Sequence, residues 1–156
     1  MANTVASIVE LNQWIVDRLN DLAWGMEFEA YRRNYDYIDA TSATFPQVIV
    51  FPNIISTEIN PRGSTTDDPI ITIRICVKAK PFDTPAQDAA ILLAEEIRDW
   101  FRTQEQDPPD ASLLPSNTDL YEIQIPEVME VDVMTDYNLF SQRMNLRYKI
   151  RRETKR

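Results

Sequence analysis

The groups available for chemistry in this chain are carboxylates, guanidiniums, amines and hydroxyls. Histidine is absent, Cys76 is the only thiol, and Gly25 and Gly63 are the only glycines. A Ser-His-Asp triad, a Cys-His dyad and a histidine-ligated metal therefore cannot form within one chain. Nor can an intrachain disulfide or a Cys₄ or Cys₂His₂ zinc site. Phosphate loops and dinucleotide fingerprints need clustered glycines, and these two stand 38 positions apart. Paired carboxylates remain, at Asp67/Asp68 and Glu95/Glu96. Acid–base work or a hard cation would need a second ligand group or a loop of known spacing, and none brackets them. They read as a solvated loop and a solvated helix face. The sequence thus offers no catalytic, cofactor-binding or metal-binding residue, and Cys76 reads as a reduced thiol packed in a sheet.

Charge is the most uneven feature. Residues 143–156 hold Arg143, Arg147, Lys149, Arg151, Arg152, Lys155 and Arg156 against Glu153 alone, a net +6. The whole chain is −9, so the other 142 residues carry −15. A basic end on an acidic body fits contact with a neighbouring subunit's acidic face. A solvated terminus is the plainer reading. A nucleic-acid or other anionic partner is the third, and −9 overall makes a poor phosphate track. Arg32-Arg33 and Arg62 read as surface charges or partner contacts. Trp14, Trp24 and Trp100 read as core or interface anchors, not a ligand cage.

The elements that must carry these residues follow from periodicity. Val5, Ile8, Leu11, Ile15, Leu19 and Leu22 step by three and four, which predicts an amphipathic helix over 4–23. Gly25 is placed to terminate it. Strands are expected over 28–80: Phe28–Tyr37, Gln47–Phe51, Ile54–Ile59 and Ile70–Lys80. Asn60 to Pro69 is turn chemistry throughout, so the last two should form a hairpin with a long exposed tip. Thr84-Pro85-Ala86-Gln87 reads as a capping box opening a helix over 85–103. Residues 104–118 form an acidic, proline-rich connector. Tyr121–Ile125, Met129–Val133 and Phe140–Ile150 alternate apolar with polar and predict C-terminal strands over 120–150, followed by a basic tail at 151–156.

One domain suits 156 residues that are 44% hydrophobic and 26% charged. The order of elements predicts an α+β fold: a mostly antiparallel β-sheet with two main α-helices packed on one face. No export signal and no membrane span are read, which places the chain in the cytosol where it is made.

The whole pattern resembles the tail terminator (tail completion) proteins of long-tailed bacteriophages. The likeness runs through the N-terminal helix (Val5 to Leu22), the strand Val48-Ile49-Val50-Phe51-Pro52, and the loop Asn60-Pro61-Arg62-Gly63 leading into Ile70–Ile75. It continues in the capped helix with Asp88, Leu92, Leu93, Glu95, Glu96 and Ile97, and in a closing strand pair. It covers nearly the whole chain and rests on order and texture, with no invariant motif. It implies a non-enzymatic virion protein, assembled in the bacterial cytoplasm. Such a protein forms a ring, usually a homo-hexamer, that caps the tail tube and meets the head connector or stopper. Genomic DNA passes through the lumen without specific binding, which an acidic wall favours. In contractile tails the ring also contacts sheath protein, and residues 151–156 are the candidate for that. The interface candidates are Arg62, Gly63, Arg74, Arg143, Arg147, Arg151, Arg152, Lys155 and Arg156. Three other readings stay open. One is another neck, tube or baseplate subunit. Another is a small soluble adaptor or ligand-binding module, marked by a monomer with one apolar pocket. The last is an enzyme working with carboxylates alone.

Overall fold

The computed structural model describes residues 8–38, 45–59, 63–106 and 117–153. Eight elements follow one another: α1 (Ile8–Asp21), β1 (Glu29–Arg32), β2 (Gln47–Ile59), β3 (Ser64–Lys78), α2 (Thr84–Gln106), β4 (Thr118–Gln124), α3 (Val131–Tyr137) and β5 (Leu139–Glu153). The strands form one sheet in the order β1-β2-β3-β5-β4. All neighbours are antiparallel except β1 and β2. The fold is α+β with a mostly antiparallel sheet.

Alternation along β3 sets the two faces of the sheet. Ile71, Ile73 and Ile75 are fully buried under the helices, with Val48, Val50, Met144 and Leu146 beside them on neighbouring strands. Each such side chain contributes roughly 1.5–3 kcal/mol of transfer free energy. Leu11, Ile15 and Leu19 of α1 and Leu93, Ile97 and Phe101 of α2 close this core from one side. Trp14 and Trp100 lie between the helices, their rings 6.3 Å apart, and Phe101 meets Trp100 edge-on at 4.8 Å. The tryptophans are packing groups.

The helix ends differ from expectation. α1 stops at Asp21, short of Gly25, and the Trp24 indole N–H donates to the Leu19 carbonyl at 2.8 Å. That bond satisfies a last-turn carbonyl which glycine was expected to free. Gly25 has another use. Its N–H donates to the Glu96 carboxylate at 3.1 Å, and a Cβ there would stand 3.0 Å from Glu96 Oε2. At α2 the cap is Asp83, not Thr84. Its carbonyl accepts from Gln87 N–H and its carboxylate from Ala86 N–H, while Gln87 Nε2 reaches back to the Lys80 and Pro81 carbonyls. A carboxylate outcompetes a hydroxyl one residue away for the same donors.

Four strand boundaries also move. The strand expected over Phe28–Tyr37 narrows to Glu29–Arg32. The two strands expected over 47–51 and 54–59 are one, because the ladder shifts by a residue between Pro52 and Ile54 and then continues. β3 begins at Ser64, so the long loop of 60–69 is mostly strand; Thr65 and Thr66 pair with both neighbours. Residues 60–62 lie outside the described residues. Met129–Val133 is not a strand. Val131–Tyr137 is helix, because the side chain the chain buries there is Met134, one helical step from Val131, while Val131 stays 61% exposed. Asn138, with φ 53°, ends that helix by donating to the Met134 carbonyl.

Asn20 closes one end of the sheet. Its side chain both accepts from Ala30 N–H (2.8 Å) and donates to Ala30 C=O (3.0 Å), so α1 occupies the outer edge of β1. No helix among the described residues is long and apolar enough to cross a membrane.

Candidate functional site

The sheet face away from the helices carries the charges. Arg74 and Arg143 stand opposite each other on β3 and β5. Arg74 Nη2 lies 3.0 Å from Asp36 Oδ2 and 3.2 Å from Glu130 Oε1, and Arg143 Nη2 lies 3.0 Å from Asp36 Oδ2. Ser141 Oγ donates to Glu130 at 2.7 Å, and Glu130 N–H donates to the Ser141 carbonyl. Two cations and two anions thus form a closed ring over the strands. The Arg74 side chain is 8% exposed and that of Arg143 is 43% exposed. Cys76 lies beneath, its Sγ 3.6 Å from Ser141 Oγ. Burial pushes its thiol up to about 11, which makes it a poor nucleophile.

A second cluster sits farther along the same face. Tyr121 donates to Asp68 Oδ1 at 2.7 Å, and Arg147 spans Asp68 and Glu122 at 3.4 Å. The Arg147 guanidinium and the Lys149 ammonium flank the Tyr121 ring at 5.3 and 4.7 Å. Burial, then the Asp68 carboxylate, pushes the Tyr121 phenol up to about 12. The Arg151 side chain is 76% exposed and 3.8 Å from Asp119.

These contacts change the meaning of the basic C-terminal segment. Arg74, Arg143 and Arg147 neutralise carboxylates of their own chain, and Arg74 is too deep to reach a partner without opening the ring. Arg151 remains available. Arg152 pairs its backbone with Thr65 in the ladder. Gly63, φ 77°, adopts the left-handed conformation that turns the chain into β3. Arg62, Lys155 and Arg156 lie outside the described residues. The partner carboxylates Asp36, Asp68 and Glu130 carry no sequence signal of their roles, because their cations sit between 13 and 107 positions away. Among the described residues no three carboxylate or thiol groups gather closely enough to hold a metal. Asp67 accepts from Thr57, Asp68 is held as above, and Glu96 accepts from Gly25.

Two clefts accompany these groups. One of about 320 Å³ opens beside the ion-pair ring, between Tyr37, Ile38, Val133 and Tyr137. Its polar floor, Arg74 and Asp36, is already paired. The other, about 440 Å³, lies at the end of α1 among Leu22, Trp24, Met26 and Phe28.

The most unusual surface is a strand edge. β1 pairs only with residues 47–50 of β2, so the rest of β2 has no strand on that side among the described residues. Through Thr57 this length stays level with β4, and only Glu58 and Ile59 run past it together with the start of β3 and the end of β5. Asn53 to Ile59 are all exposed, with Ile54 at 53%, Ile55 at 52% and Ile59 at 81%. An edge of this kind, carrying one charge (Glu58) in seven residues, is a template for pairing with another chain. The sequence showed the strand there, but not that it lacks a neighbour.

Comparison with protein-family models and with curated proteins finds no match to this chain.

Proposed function

We propose that this chain is a structural subunit of a phage tail: a tail terminator that assembles into a ring, capping the tail tube and joining it to the head connector. The observation that carries the reading is the exposed, apolar length of β2, residues 53–59, which has no neighbouring strand on its outer side among the described residues. A monomeric protein blunts such an edge with charge, proline or a covering element. This fold guards the β1 edge with Asn20, and among the described residues no strand pairs with that side of β2 beyond residue 50, which is the disposition of a subunit made to be joined. The order of elements that resembles terminators supports the same reading.

In the ring, the acidic helix layer carries Asp88 and Glu95, and its negative field would keep passing DNA from binding. The test is imaging and sedimentation of the purified chain, alone and mixed with tail tubes of its own phage. Rings on tube ends, with about six copies each as in the resembled family, are the expected result. A chain that stays monomeric and leaves tube ends bare would sink the proposal.

A further inference from the structure

The two ends of the sheet match each other in height, direction and chemistry. Four complete rows cross the sheet from β2 to β4, two of them at exposed residues of β2. Ile54 pairs with Ile70, Ile70 with Arg147, and Arg147 with Glu122. Thr57 pairs with Asp67, Asp67 with Ile150, and Ile150 with Thr118. The bare length of β2 therefore begins at the same level as β4, on the opposite end of the sheet. β4 is the last strand there among the described residues. Three successive antiparallel pairings make β2 and β4 run in opposite directions. A rotation about an axis along the strands keeps those directions, so it would bring one copy's β2 antiparallel to the next copy's β4.

We propose that β2 residues 54–57 of one copy add to β4 residues 118–122 of the next, so that a single sheet continues from subunit to subunit. This rests on the ring reading and specifies its contact. Ile54 falls against Glu122, and the other side chains agree across the join. On the helix side, Ile55 meets Leu120, extending the apolar face. On the other side, Ser56 meets Asp119, a hydroxyl against a carboxylate. Glu58 falls level with Thr66 and Arg151, so it reaches the cation whose own partner, Asp119, is 3.8 Å away. The contact is head-to-tail, the kind that closes into a ring.

The test uses the full chain with Ser56→Cys and Asp119→Cys together, oxidised under assembly conditions with tail tubes present. Both positions are exposed and Cys76 is buried, so folding and background are controlled by circular dichroism and by the wild type. The double variant should give a covalent ladder, and each single variant none. Glu58→Arg and Arg151→Glu should each lose rings, and the two together should regain them. Rings in the micrographs without a ladder overturn this pairing and leave the ring reading standing. A covalent dimer from Ser56→Cys alone also overturns it, because the edge then joins its own twin. Absence of any assembly, with folding intact, sinks both.

Discussion

Arg74→Met separates the ion-pair ring from the rest of the fold. Removing one partner of a buried pair typically costs about 3–5 kcal/mol, because a charge stays buried without compensation. Here Arg143 remains within reach of both carboxylates, and their side chains are 30% and 21% exposed. That retains part of the pairing and admits water, so the expected loss is roughly 2–3 kcal/mol. Arg143→Met removes the outer cation, 43% exposed, and should cost no more than about 1 kcal/mol. The double variant should lose more than the sum, since neither carboxylate then keeps a cation. Urea unfolding followed by tryptophan fluorescence reads all three. With a slope of about 2 kcal/mol per molar, Arg74→Met should lower the midpoint by roughly 1–1.5 M. Equal costs for the two single variants, or an additive double, would refute the claim that Arg74 is the buried centre of one network.

Three further outcomes follow from other parts of the fold. Asn20→Ala removes both bonds to Ala30 and should cost about 1–3 kcal/mol, with faster hydrogen exchange at the Ala30 amide. The Cys76 thiol is raised from 9.0 to about 11, so its contribution is complete below pH 9 and is lost as pH rises through 11. That amounts to at most about 3 kcal/mol, and alkaline unfolding of Cys76→Ala should lack this component. In ultraviolet titration, the difference between wild type and Tyr121→Phe should be one tyrosinate forming near pH 12.

Local periodicity carried much of this architecture. The steps of Leu11, Ile15 and Leu19, and the alternation of Ile71, Ile73 and Ile75, each answer to one partner surface, so pattern and structure agree. Competition decided the rest. Asp83 and Thr84 are both capable caps, and only the built turn shows which one meets Ala86. Val131 and Val133 alternate like a strand, but burial of Met134 selects a helix. Pro52 reads as a strand end, although a one-residue shift lets the ladder continue past it. The charges were least legible. A run of cations in 143–156 looks free along the chain. Cross-strand distance is invisible in sequence, so Asp36, Asp68 and Glu130 could not be matched to Arg74, Arg143 and Arg147. Sheet order is equally non-local, and without it the bare β2 edge looks like any other strand.

Self-assembly through that edge is the centre of the account, and Ile55→Lys tests it most directly. Ile55 is 52% exposed, so a lysine there costs the protomer little while placing a charge on the bare edge. Sedimentation of wild type and variant with tail tubes present is the measurement. Rings in the wild type and single protomers of unchanged thermal stability in the variant are the predicted result. Identical assembly in both, or none in the wild type, would contradict it.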